Sequence, residues 1–141
     1  MSGRERREGR SHLPERARAE KVDTGRPQKV AARVREELSS MILRGELREP
    51  AAGRAMVSSV EATRDLSLVK VGLRAFDPRA GAAEQAAIVA AFQRAAGFLR
   101  SRIGKELGLR TAPELRFFHD RGADHAARIE ELLAGDAEDD A

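Results

Sequence analysis

The chain has 141 residues, 41% hydrophobic and 35% charged, with a net charge of +3, enough for one modest core with tails but not for two. Cysteine, tryptophan and tyrosine are absent and phenylalanine occurs five times, which excludes disulfides, thiolate metal sites and cysteine nucleophiles and leaves the core to Leu, Val, Ile and Ala. No apolar run approaches the ~18 residues of a membrane span, and the Arg-rich start has no apolar stretch behind it to act as a signal peptide.

Residues 1–27 carry eight Lys or Arg against five acids, and Gly3, Gly9, Pro14, Gly25 and Pro27 break any helical period. A disordered basic arm is expected there. An organellar presequence is also Arg-rich but avoids acids, whereas this segment holds Glu5, Glu8, Glu15, Glu20 and Asp23. The expected setting is the cytoplasm.

From Gln28 the pattern changes. Val30, Val34, Leu38, Met41 and Ile42 recur at helical spacing with Arg33, Arg35, Glu36 and Glu37 between them, predicting an amphipathic helix that ends near Gly45 to Pro50. Ala51 to Gly53 reads as a loop. Ala55, Val57, Val60 and Ala62 then alternate with a one-residue slip around Ser58 and Ser59, as a bulged strand would. A turn at Arg64 and Asp65 leads to Val69, Val71, Leu73 and Ala75, which alternate with Lys70, Gly72 and Arg74. The two strands form an antiparallel hairpin.

After a break at Asp77 to Gly81, one helical face runs through Ile88, Val89, Phe92, Ala95 or Ala96, Leu99, Ile103 and Leu107. Gly97 interrupts it. A glycine inside a helix costs roughly 1 kcal/mol against alanine, so its place there calls for a bend or a close packing contact. Gly108 is suited to cap the second half, Pro113 to Phe118 reads as a third strand, and Ala126 to Leu133 as a short last helix. Residues 134–141 add four acids and no base, an acidic disordered tail. The order predicts an α+β domain over 28–133, with a three-stranded sheet covered by helices on one face.

That order is the order of a type II KH domain, and several stretches resemble the ribosome-binding factor A family. The first half of the resemblance lies in Arg33-Val34-Arg35-Glu36-Glu37-Leu38, Val60 to Ser67 and Val69-Lys70-Val71. The second half is stronger: Ala95-Ala96-Gly97-Phe98-Leu99-Arg100 through Gly104-Lys105, Leu109-Arg110, Pro113 to Phe117, and Arg128 to Leu133. A standard KH domain clamps a single strand with a GxxG loop between two helices. Here Ala95-x-Gly97 stands in that place, similar to the helix-kink-helix of the family. Ala126 stands where the family commonly has glycine. The resemblance implies a KH-like fold, a monomer, no cofactor and binding to the small ribosomal subunit and its rRNA, with effects on late maturation and 5′-end processing.

Basic residues supply the candidate site. Arg94, Arg100, Arg102 and Lys105 surround the kink at Ala95 and Gly97, and Arg33 and Arg110 extend the set. Their functional reading is contact with rRNA phosphates; their bland reading is the solvated face of an amphipathic helix pair. The basic body with its acidic tail suits a polyanionic partner. A small protein-interaction adaptor is the alternative, and steep salt dependence separates the two. His119, Asp120, Asp124 and His125 cluster in sequence but match no metal-ligand spacing and read better as a surface turn than as a metal or hydrolase site. Gly104-Lys105 lacks the Ser or Thr of a phosphate-binding loop. Paired carboxylates such as Glu36-Glu37 lie on an exposed face, so the chain is not expected to be an enzyme. Phe117 and Phe118 should place one ring in the core and one outside, where stacking on a base competes with cover for the sheet.

Overall fold

Helix α1 spans 25–43 and buries Val30, Val34, Leu38 and Met41, spaced so that they share one side of the cylinder. The computed structural model describes residues 25–140, with side chains for 25–135. Most of the predicted basic arm therefore lies outside the described residues. Its last three residues, Gly25 to Pro27, begin α1. Pro27 is tolerated in that first turn, where backbone amides have no acceptor within the helix. The helix stops at Gly45, whose φ of 67° suits a residue without a Cβ. The Gly45 amide donates to the Ile42 carbonyl and the Glu46 amide to the Met41 carbonyl, closing the end.

A short 3-10 turn, Pro50–Arg54, buries Ala51 and Ala52 where a loop was expected. Strand β1, Ala55–Ala62, then pairs antiparallel with β2, Leu68–Ala75, and the register slips between Val57 and Ser59. The bulge is where the alternation of β1 failed in the sequence. Between the strands, the Asp65 carboxylate accepts from the Thr63 and Ser67 hydroxyls and the Ser67 amide, and these bonds hold it below the usual carboxylate range, with Ser67 the largest cause.

Helices α2, Ala82–Arg94, and α3, Ala96–Leu107, follow, then β3, Glu114–His119, which lies parallel to β2. The sheet order is β1-β2-β3. Its inner face offers Val69, Val71, Leu73, Ala75, Leu115 and Phe117 to Val34, Leu38, Ile88, Phe92, Leu99 and Ile103 in one core. Phe92 and Phe117 meet with ring centroids 5.3 Å apart. Phe118 stands half-exposed on the other face, so the in-and-out reading of that pair holds. The result is the α+β, type II KH-like arrangement that the element order predicted.

The last helix differs from its prediction. α4 spans Arg121–Asp140 rather than 126–133, so it starts earlier and its backbone stays helical through the acidic segment assigned to a tail. Its start is fixed by Asp120, which accepts from the Ala123 amide and, across β2, from the Ser58 and Ser59 hydroxyls of the bulge. That bridge requires Gly72: a Cβ there would collide with the Ser59 hydroxyl and come within 3.0 Å of Asp120 and Phe118. With the Asp120 carboxylate capping the Ala123 amide and held in place from β1, helix begins at once.

Candidate nucleic-acid interface

The break between α2 and α3 falls at Ala95, with φ −89° and ψ 3°, and not at Gly97, which already belongs to the first turn of α3. The packing reading of Gly97 is also overturned, because a Cβ there would meet nothing within 4 Å. Close packing is the business of Gly104, where a Cβ would come within 2.9 Å of the Ala112 side chain. Gly97 is exposed, Ala95 half-buried, and α3 starts with no side-chain cap. The kink thus presents bare backbone to the outside.

Its arginines are largely spoken for. Arg94 grips the Glu49 carboxylate with two hydrogen bonds of 2.7 and 3.2 Å, which raises the Arg94 pKa and lowers that of Glu49. Arg100 donates twice to the Ala112 carbonyl, at 3.2 and 3.0 Å. Arg102 is only 26% exposed and lies 3.0 Å from Glu46, 3.5 Å from Glu37 and 3.6 Å from Glu106. Glu46, shared by Arg44 and Arg102, is held below the ordinary range with the Arg44 hydrogen bond as the main cause. The sequence-predicted patch of Arg94, Arg100 and Arg102 is thus mostly an internal fastening of α2 and α3 to α1 and to the segments beside them.

The remaining candidates behave differently. Arg33, Lys105 and Arg110 are exposed, and among the described residues none has a carboxylate within ion-pair distance. Arg33 lies beside the end of α3, lining a cleft of about 130 Å³ with Arg26, Lys29, Val30, Leu107 and Leu109. Lys105 and Arg110 flank those leucines in the chain. Arg26, Lys29 and Arg33 follow one another at three and four residues, so they share a side of α1. Sequence reasoning missed Arg26 and Lys29. The signal was the same spacing that singled out the apolar face, but drawing the arm's boundary at residue 27 cut Arg26 off from Lys29 and Arg33 and hid the stripe.

At the other end of the sheet, Asp124 is buried and forms an ion pair with Arg128 at 3.2 Å, with the His119 ring nitrogen also at 3.2 Å. The Gln85 amide nitrogen lies 3.4 Å away. Asp120 serves the bulge, and hydrogen bonds led by Ser58 hold its carboxyl below the usual range. His125 is exposed. No group of three or more His, Asp or Glu among the described residues is placed to hold a metal ion. Gln85, His119, Asp124, His125 and Arg128 line a groove of about 730 Å³ between α2 and α4, where the polar contacts of Gln85, His119, Asp124 and Arg128 are spent in seating the last helix.

The family model for ribosome-binding factor A matches residues 26–133. The chain belongs to that family. A relative from Magnetococcus marinus, a ribosome-binding factor A, is 44% identical over 113 residues, spanning 79% of this chain and 89% of that protein. Another from Sorangium cellulosum is 42% identical over 108 residues, or 77% and 86% of the two chains. Among solved structures, the crystal structure of ribosome-binding factor A from Thermus thermophilus superposes with a TM-score of 0.54 at 23% identity, over 67% of this chain and 97% of that one. A model of the Thermus thermophilus factor fitted into a map of its 30S complex gives 0.52 at 24% identity, over 66% and 93%. These two likenesses establish the fold.

Among the described residues, no helix is long and apolar enough to cross a membrane.

Proposed function

We propose that the protein acts in the bacterial cytoplasm as a monomeric, non-catalytic factor that binds the small ribosomal subunit through its rRNA and assists late maturation, including processing of the rRNA 5′ end. The observation that carries this reading is the corner where α1 meets the end of α3. Arg26, Lys29 and Arg33 stand there beside Leu107 and Leu109, Lys105 and Arg110 are exposed and close to those leucines in the chain, and no carboxylate is paired to any of the five among the described residues. Phosphates can replace counterions at such a surface without first breaking an internal salt bridge. Membership of the family and the 30S complex of the Thermus thermophilus factor support the choice of partner.

The mechanism is steric and electrostatic. Cations at the corner take phosphates, while the exposed backbone at Gly97 admits a close approach that a side chain would block. Binding favours one arrangement of rRNA helices that have yet to settle, and release follows when the mature arrangement no longer fits. No cofactor is required. The basic residues of 1–24 add phosphate contacts of low specificity, and the four acids of 134–141 disfavour RNA contact by that segment.

Co-sedimentation with separated ribosomal subunits tests this directly. The protein should travel with small subunits and not large ones, and rising salt should release it with a steep logarithmic slope. Equal retention on both subunits at every salt concentration would overturn the reading.

A further inference from the structure

The corner cleft between α1 and the end of α3 combines two chemistries in one small space. Three cations, Arg26, Lys29 and Arg33, line it together with Val30, Leu107 and Leu109, and among the described residues no acid does. Its volume is about 130 Å³. Phosphates account for the cations, but phosphate contact needs only an open basic surface and leaves the three aliphatic side chains without a part.

Leu109 is the residue that asks for an occupant. Val30 is buried in the core and Leu107 packs against it, whereas Leu109 is half-buried without joining that cluster. Its place is fixed by the backbone: Gly108 turns the chain at a φ of 65°, and the Leu109 amide then donates to the Gly104 carbonyl at 2.9 Å, closing the end of α3. An aliphatic wall held in this way beside three cations is preorganised, and little further ordering is needed when it is covered.

The occupant must present a negative backbone and, projecting from it, a group with an apolar face. Paired RNA does not, because its bases are stacked inside the duplex and its outer surface is sugar and phosphate. An unpaired nucleotide turned out of its stack does, with the base in the cleft and the phosphates on either side meeting the cations along α1. From Arg26 to Arg33 the helix axis runs about 10 Å, enough for the two phosphates that flank one nucleotide. Arginine also suits a planar base, since a guanidinium stacks on its face. An acidic peptide with an aliphatic side chain would match the charge and the lining but makes no use of that planarity.

We infer that the α1–α3 corner seats a single unpaired nucleotide of the small subunit's rRNA, its base against Val30, Leu107 and Leu109 and its flanking phosphates on Arg26, Lys29 and Arg33. This rests on the proposed binding to the small subunit and adds a preference among RNA structures. A base that is already unpaired enters without the cost of being extruded, so the corner favours rRNA segments whose pairing is not yet complete.

The test measures binding of the full chain to three RNA hairpins of one sequence: fully paired, carrying one unpaired adenosine in the stem, and carrying an abasic site in place of that adenosine. The adenosine should raise affinity about fivefold to tenfold over both others. Leu109→Asn should reduce that preference to within about twofold at an unchanged salt slope, because no counterion is involved. Equal affinity for all three hairpins overturns the inference and leaves phosphate contact at the corner and subunit binding standing. So does an abasic hairpin that binds as well as the adenosine, since the bend and not the base is then what is read. A preference kept in full by Leu109→Asn, shown folded by circular dichroism, puts the base elsewhere and has the same consequence. Weaker co-sedimentation of Leu109→Asn with small subunits, from a parent that shows no adenosine preference, points to a peptide side chain in the cleft and likewise overturns it. Failure of the unsubstituted chain to co-sediment with small subunits removes both readings.

Discussion

The kink between α2 and α3 and the corner between α1 and the end of α3 look alike as strings of letters, since both are rich in arginine and lysine. In the fold they differ. Arg94, Arg100 and Arg102 are held by Glu49, the Ala112 carbonyl and a trio of glutamates, whereas Arg26, Lys29, Arg33, Lys105 and Arg110 face outward without a paired carboxylate among the described residues. A cation that must leave a carboxylate to meet a phosphate gains less from the exchange than one that leaves only water and a mobile anion. Charge available for RNA is therefore a property of pairing, and counting basic residues overstates it at the kink.

The sharpest way to break this comparison is to reverse charge on each side. Lys29→Glu, Arg33→Glu and Arg110→Glu together should lower small-subunit affinity roughly a hundredfold at low salt, with a salt slope flatter by about 0.7 to 0.9 for each phosphate that is no longer neutralised. Arg94→Glu with Arg100→Glu should change affinity only a few-fold, because those side chains are already occupied. Binding across a salt series, with circular dichroism to confirm the fold, measures both. A larger loss from the kink pair would invert the comparison.

Stability should respond in the opposite order. Arg102→Ala leaves Glu37, Glu46 and Glu106 facing one another at a half-buried junction of α1, α3 and the loop after α1. Discounted for their partial exposure, the loss is about 2 kcal/mol, against no more than about 0.5 kcal/mol for Arg33→Ala at the free corner. Urea melts of the two variants supply the contrast. Equal stabilities would show that the glutamate trio does not depend on its arginine.

A control that changes stability away from both regions comes from the tie between Ser58, Ser59 and Asp120. The Asp120 pKa is lowered in the folded protein, chiefly by the Ser58 hydroxyl and then by the Ala123 amide and Ser59. Its contribution is fully present above the ordinary aspartate value of about 3.9 and is lost as pH falls through the lowered folded value. Ser58→Ala with Ser59→Ala should cost about 1 kcal/mol at neutral pH, flatten the acid limb of the stability curve, and leave subunit binding unchanged. An acid limb identical to that of the parent would rule the tie out as its source.

Much of the fold was legible in the sequence because its signals are periodic and local. Alternation placed β1 and β2, its failure at Ser58 and Ser59 marked the bulge, and helical spacing found α1 and the α2–α3 face. The start of α4 was missed although Asp120 is a local N-cap for the Ala123 amide; what no local pattern reports is that Ser58 and Ser59 of β1, about sixty positions away, hold that carboxylate through the space left by Gly72. The candidate site was half legible for the same reason. Arg33, Lys105 and Arg110 are exposed, as both readings of them require, but whether Arg94, Arg100 and Arg102 are free depends on Glu49, Ala112 and Glu46, and no local pattern reports those partners.

The smallest predicted effect concerns Gly97, and it separates backbone access from charge. Because the bend lies at Ala95 and a Cβ at Gly97 would touch nothing in the chain, Gly97→Ala should not straighten the helix pair. It should stabilise the fold by about 0.5 kcal/mol, through better helix propensity and a less mobile unfolded chain. If RNA backbone comes close at the kink, the added methyl group stands in its path, and affinity should fall severalfold at an unchanged salt slope, since no counterion is involved. The corner reversals change the slope and this variant should not, so a salt series distinguishes them even where the losses at one concentration coincide. A Gly97→Ala protein that is more stable and binds like the parent would leave the corner as the sole RNA face and give the bare backbone of the kink no part in binding.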